Sequence, residues 1–188
     1  MDTILLFVFL AVAYACSYSC GGFLCSVSGG SLPNCKCDAL KYGSHIVSWA
    51  NCASNGATSC QLSASSKSCS IQGEASRCFL EAIPGAGLQW YVPKCTAKNA
   101  ASCSQSFGES ECSIVGTSST CSTKIMSQSS VDYLVPVCNA TQTIQCSIQC
   151  RFHKCEASCA GTGKSAYCHC GWDPNFSNPS LTARCGCK

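Results

Sequence analysis

The stretch CQLSASSKSCSIQGEASRC, residues 60–78, returns in outline as CSQSFGESECSIVGTSSTC, residues 103–121. Carried on to the next cysteine, the two read Cys60, Cys69, Cys78, Cys95 and Cys103, Cys112, Cys121, Cys138. Both follow C-x8-C-x8-C-x16-C, at a period of 43 residues. Four cysteine intervals repeated without an insertion define an internal repeat, and the rest of the chain can be phased from it.

Towards the N-terminus, Cys16, Cys25, Cys35 and Cys52 have intervals of 9, 10 and 17, against 9, 9 and 17 in the central copies. Towards the C-terminus, Cys146, Cys155, Cys168 and Cys185 have intervals of 9, 13 and 17. The sequence thus divides into units at 16–52, 60–95, 103–138 and 146–188, joined by seven-residue connections at 53–59, 96–102 and 139–145. The connections are rich in Ala, Ser, Thr and Asn, which predicts exposed linkers. A glycine follows the second cysteine by four residues at Gly29, Gly73 and Gly116, which predicts a turn with positive φ. In the last unit Gly163 has that relation to Cys159, so either Cys155 or Cys159 could be the core cysteine there.

Between the last two cysteines of a unit the pattern is that of a hairpin. In the second unit Phe79 to Ile83 and Leu88 to Val92 flank Pro84-Gly85-Ala86-Gly87; in the third, Ser122 to Met126 and Val131 to Val135 flank residues 127–130. Leu88, Trp90 and Val92 alternate in phase with Val131, Tyr133 and Val135, giving each unit a small apolar strand face. The first unit has His45, Val47 and Trp49 at those places, and the last has Asn178, Ser180 and Thr182. The expected fold is small, disulfide-rich and mainly β: a tandem array of four cysteine-stapled units of about 36–43 residues, each with a β-hairpin. Units of that size cannot fold on an apolar core alone. Disulfides closing loops of this length stabilise by about 3 kcal/mol each in the chain-entropy account.

The N-terminus carries an apolar block from Ile4 to Ala13, then Ala13-Tyr14-Ala15, with small residues where a signal peptidase needs them. A run this short does not span a bilayer, so residues 1–15 read as a secretory leader cleaved after Ala15, although the residues before the block include Asp2 and no Lys or Arg. No later apolar stretch approaches spanning length, and the C-terminus lacks the hydrophobic tail of a lipid-anchor signal. The expected product is secreted and extracellular. All 22 cysteines lie beyond the leader, more than one residue in ten. On a secretory route that density, with an even count, means disulfides. Thiolate metal storage through Cys35-Lys36-Cys37 and Cys168-His169-Cys170 is the weaker reading, and no metal or other cofactor is expected. Asn139-Ala140-Thr141 and Asn175-Phe176-Ser177 are N-glycosylation sequons at Asn139 and Asn175.

The cysteines that the central units lack constrain pairing. Cys20 lies four after Cys16 as Cys150 lies four after Cys146, and Cys37 lies two after Cys35 as Cys170 lies two after Cys168. Residues that come and go together should be bonded together, so Cys20 is expected with Cys37 and Cys150 with Cys170. The spare cysteine of the last unit, Cys159 or Cys155, is expected with Cys187. The units then hold 6, 4, 4 and 8 cysteines and can each close internally. The C-x3-C and C-x-C arrangement of the terminal units resembles the cysteine-stabilised αβ motif of defensins and scorpion toxins, in which a helical i, i+4 pair bonds a C-x-C strand. The resemblance implies bonds from Cys16 to Cys35 and Cys25 to Cys52, then from Cys60 to Cys78 and Cys69 to Cys95. Tyr167-Cys168-His169-Cys170-Gly171-Trp172 is similar to the end of an EGF-like module, but EGF pairing would not let Cys20 and Cys37 disappear together. Neither pattern assigns the chain to a family.

Few chemistries are indicated. With 12 basic and 9 acidic residues the chain is only mildly basic, and no basic cluster with interleaved aromatics suggests nucleic acid. His45, His153 and His169 have no nucleophile motif around them, although Asp38 is near His45 in sequence. Glu109 and Glu111, the one close carboxylate pair, straddle Ser110 in a polar loop and read as a solvated face. Trp49, Trp90 and Tyr133 either anchor a partner or cover the disulfides, and units this small need them for the latter. The sequence therefore points to a secreted, non-enzymatic interaction or structural protein whose partner is an extracellular protein or glycan. The alternative is a defence or toxin-like effector, or a protease inhibitor, active through a terminal unit.

Overall fold

The computed structural model describes residues 15–85, 89–128, 131–159, 164–173 and 180–188. Most of the proposed leader and the Asn175 sequon lie outside them. The protein is mainly β, built from four repeating disulfide-stapled units. In the first, β1 (Ala15–Cys20) and β2 (Phe23–Ser28) form one antiparallel pair, and β3 (Ser31–Tyr42) with β4 (His45–Asn55) form the hairpin. In the second, β5 (Ser59–Ala64) pairs with the first part of β6 (Lys67–Pro84), whose remainder forms the hairpin with the start of β7 (Gln89–Phe107). The end of β7 opens the third unit, followed by β8 (Ser110–Thr117) and the hairpin of β9 (Thr120–Gln128) and β10 (Val131–Asn139). The fourth has β11 (Gln142–Cys150) with β12 (His153–Ser158), then the hairpin of β13 (Ala166–Asp173) and β14 (Ser180–Cys187). A hairpin therefore forms in the last unit although its expected face holds Ser180 and Thr182; Leu181, on the opposite parity, is the buried residue.

The units are not beads. The second sheet strand of each pairs antiparallel with the first of the next, β2 with β5, β6 with β7 and β8 with β11. The result is one eight-stranded antiparallel sheet, in order β1-β2-β5-β6-β7-β8-β11-β12. One face of it presents the sheet cysteines to the hairpins. Alternation decides this: in row after row Cys16, Val27, Cys60, Ile71, Cys103, Ile114, Cys146 and Ala157 lie side by side, on the same face as Cys25, Leu62, Cys69, Cys112, Ile148 and Cys155. The hairpins cover that face, and the core between the layers is largely sulfur, Val, Leu and Ile.

The disulfides stay inside units. The first sheet cysteine bonds the third, as Cys16 with Cys35, Cys60 with Cys78, Cys103 with Cys121 and Cys146 with Cys168. The second bonds the fourth, as Cys25 with Cys52, Cys69 with Cys95, Cys112 with Cys138 and Cys155 with Cys185. Cys20 with Cys37, Cys150 with Cys170 and Cys159 with Cys187 are the additional bridges. The core cysteine of the last unit is thus Cys155. Within each unit the two main bridges lie together, because their hairpin ends are opposed in register. Cys78 and Cys95 have Cα atoms 4.1 Å apart and their sulfurs also touch, but a sulfur forms one S–S bond, so the bridges are those just given.

Three expectations need correction. The αβ resemblance implies a helix through Cys16 and Cys20, whereas Ala15–Cys20 is a strand. A spacing of four puts two side chains on one face of a strand as well as of a helix, and Gly21-Gly22 turns the chain straight back. The connections are exposed linkers only in part: most of their residues are exposed, but each buries its fifth, Ala57 and Ala100 fully and Thr143 nearly so. They form corners that stack from unit to unit through backbone bonds such as Gly73 N to Thr58 O, 2.9 Å, Ser76 N to Ala57 O, 2.9 Å, and Ser119 N to Ala100 O, 2.8 Å.

The third correction concerns the repeated glycine. Gly29 has positive φ, but Gly73 and Gly116 do not; Ala75 and Ser118, two residues on, carry φ of 52° instead. Glycine is required at Gly73 and Gly116 by close approach: a Cβ would lie 2.7 Å from Ala100 Cα at Gly73 and would overlap the Gln142 carbonyl oxygen at Gly116. The obstruction is backbone of the incoming strand. Gly116→Ala is therefore expected to lower unfolding free energy by about 1–3 kcal/mol, as overpacking does. Chemical denaturation of the oxidised protein checks this, and unchanged stability would mean the corner is looser than described.

Candidate interaction surface

Among the described residues no hairpin covers the opposite face of the sheet. Its central row runs Ser17, Ser26, Gln61, Ser70, Ser104, Ser113, Ser147 and Glu156 across all eight strands, without a register shift. The row beside it runs Ser19, Leu24, Ser63, Ser68, Ser106, Glu111, Gln149 and Lys154, and the row on the other side contains Ser28, Ser59, Gln72, Ser102, Gln145 and Ser158. The strands that carry neighbouring residues of a row are about 4.8 Å apart, and rows recur every two residues, about 6.8 Å. Serine is a poor strand former, so intrinsic preference does not explain its density here.

The serines pair where units meet. Ser28 and Ser59 hydroxyl oxygens are 2.6 Å apart, Ser68 and Ser106 2.8 Å, Ser70 and Ser104 2.8 Å, and Ser113 and Ser147 2.9 Å. Each pair crosses β2 to β5, β6 to β7 or β8 to β11. A hydroxyl has one proton to donate and two lone pairs, so each pair retains one donor and several acceptors for an outside group. Within these three rows charge is confined to Glu111 and to the β12 edge, where Lys154 and Glu156 pair at 3.4 Å.

The residues singled out from sequence are dispersed. His45 is register partner of Tyr42 at a hairpin tip, while Asp38 pairs with Trp49 four steps away, so the two do not act together. Asp38 accepts from Asn51 Nδ2 at 2.9 Å, and that bond, ahead of Lys36, holds its carboxyl below the ordinary value. His153 and His169 are exposed on separate strands, the latter stacked on Tyr167 at 6.0 Å. Glu109 lies at a turn and Glu111 on the outer sheet face, so they form no acid/base pair. Asn139 is exposed at the end of β10.

Trp49 is buried in the core, whereas Trp90 and Tyr133 are half-buried. They line an open groove of about 320 Å³ with Lys67, Leu134 and Arg151. Lys67 lies 5.9 Å from the Trp90 ring centre and Arg151 5.6 Å from that of Tyr133, whose ring meets Trp172 edge-on. The aromatics thus close the ends of the hairpin layer, with cations over their faces. Inside, Gln105 occupies the place that Leu62 and Ile148 fill elsewhere, and its Nε2 donates to Pro93 O at 2.8 Å and Thr123 Oγ1 at 2.9 Å, joining two hairpins. Its Oε1 is buried without a partner.

Sulfurs of Cys16, Cys35 and Cys52, and their counterparts in the next two units, gather within 4.8 Å. Each is in a disulfide and carries no thiolate charge for a metal. Among the described residues no helix is long and apolar enough to cross a membrane. No protein-family model, no curated protein and no solved structure matches the chain.

Sequence reasoning missed the serine rows. The signal was present: Ser17, Ser26, Ser70, Ser104, Ser113 and Ser147 each directly follow a cysteine, so if the cysteines face inward these serines face outward. Removing the Asn51 amide should let Asp38 titrate at higher pH. Carboxyl NMR titration of Asn51→Ala checks this, and an unchanged titration would assign the depression to the Ala39 N–H and Lys36 instead.

Proposed function

We propose that the protein is a secreted, non-enzymatic interaction module that binds extended neutral glycan through the outer face of its sheet. The observation that carries the reading is the unbroken central row from Ser17 to Glu156, repeated at strand spacing across four units. Hydroxyls and carboxamides both donate and accept, which suits sugar hydroxyls and amides. A face nearly free of cations offers little to a polyanion. Many weak contacts at a fixed period bind by avidity, and that requires a partner with a repeat of its own. The leader and the disulfide density support secretion, and a glycan on Asn139 would leave the sheet face open.

The terminal bridges favour this reading over an effector confined to one end. Cys20 lies on β1 and Cys159 immediately beyond β12, the two strands with a neighbour on one side only. Two of the three additional bridges are placed where strand pairing is missing; Cys150, bonded to Cys170, lies on β11, which is paired on both sides.

The test is retention of the oxidised protein on insoluble chitin and cellulose, with soluble hyaluronan as the charged comparison. The wild type should be retained by a neutral polymer. Ser70→Arg combined with Ser104→Arg and Ser113→Arg should lose at least tenfold in affinity with thermal unfolding unchanged. Retention by neither polymer, or equal binding by the triple variant, would overturn the assignment of this face.

A further inference from the structure

The three junctions between units are copies of one another, and the two free edges of the sheet are the two halves of a fourth. At each junction the second cysteine of one unit lies opposite a residue two beyond the first cysteine of the next: Cys25 opposite Leu62, Cys69 opposite Gln105, Cys112 opposite Ile148. One step on, an aliphatic residue faces that first cysteine: Val27 opposite Cys60, Ile71 opposite Cys103, Ile114 opposite Cys146. The unpaired side of β12 presents Cys155 and Ala157, and the unpaired side of β1 presents Tyr18 and Cys16.

We infer that copies of this chain join head to tail, β12 of one pairing antiparallel with β1 of the next, so that the sheet continues from molecule to molecule. The register follows from the internal junctions: Cys155 opposite Tyr18, Glu156 opposite Ser17, Ala157 opposite Cys16. Exposure supports it. Leu62 and Ile148, which occupy the Tyr18 position within the chain, are 0% and 1% exposed, whereas Tyr18 is 41% exposed. Among the described residues, Tyr18 is the member of that set with no covering strand beside it.

Nothing in the edge strands opposes the pairing. Neither contains proline, and Lys154 and Glu156 project from the outer face rather than into the plane of the hydrogen bonds. The contact is heterologous, because different strands meet, so it propagates into a filament or closes into a ring of several chains. Backbone pairing would supply affinity and the inward row would supply register. The inference is independent of any glycan bound to the outer face.

Sedimentation velocity of the protein purified from the medium of secreting cells, over a wide concentration range, tests it. The mass should rise in steps of one chain, and electron microscopy should show a repeat of about 38 Å, eight strands at about 4.8 Å each. Tyr18→Asp would bury a carboxylate in the junction and should weaken association at least tenfold. At dilutions where wild type is a single chain, the variant's unfolding temperature and its mass with and without reduction should match wild type, since Tyr18 is exposed in the single chain. Ser17→Glu should weaken and Ser17→Lys strengthen association, each by up to about fivefold, because Glu156 would lie directly opposite. A single-chain mass at every concentration would overturn the inference. So would a species that stops at two chains, which indicates pairing of like edges, or association unaffected by Tyr18→Asp.

Discussion

The structure depends on the pair of disulfides that fastens each hairpin to the sheet beneath it. Bulky apolar side chains are few: the buried core holds Phe23, Val27, Trp49, Leu62, Ile71, Leu80, Ile114, Val135, Ile148 and Leu181, spread over four units. No unit could fold on its share of these. The bridges from the first cysteine to the third and from the second to the fourth hold strand and hairpin at a fixed separation, with the remaining space filled by sulfur. Backbone pairing between β2 and β5, β6 and β7, and β8 and β11 then does what the sulfur does not, joining the units into one sheet. Covalent bonds act within a unit and hydrogen bonds between units.

That division of labour accounts for two of the three additional bridges of the terminal units, the third, Cys150 with Cys170, starting from β11, which has a neighbour on each side. A central sheet strand has a neighbour on each side, whereas β1 and β12 have one. Cys20 gives β1 a second attachment to its hairpin, and Cys159, held to Cys187, fixes the chain as it leaves β12. Atypical end units are general in repeat arrays, where the ends lack a stacking partner. Here the ends are reinforced by sulfur rather than covered by polar caps, which keeps their strand edges open.

Much of the fold was legible in the cysteine spacing alone, since intervals survive without knowledge of the secondary structure that spans them. The same property hid the strand between Cys16 and Cys20, because a separation of four suits one face of a helix and one face of a strand alike. Strand pairing between units was not legible: it resides in backbone groups every residue has, and the connections, which read as linkers, each bury one small residue, Ala57, Ala100 or Thr143, where corners stack. The repeated glycine was visible, but its reason was not, because the atoms that exclude a Cβ at Gly116 belong to Gln142 of the next unit. The serine face was overlooked for a related reason. Serine signals loops when read locally, and becomes a surface only once alternate cysteines are known to point inward.

Native-state amide hydrogen exchange tests the central claim most directly, because it reads strand pairing between units separately from the bridges inside them. Amides at the junctions, on β2 with β5, β6 with β7 and β8 with β11, should be as protected as those paired within units and should open together with them. Junction amides that exchange freely while the hairpins stay protected would mean four separate stapled bodies, and would contradict the continuous sheet.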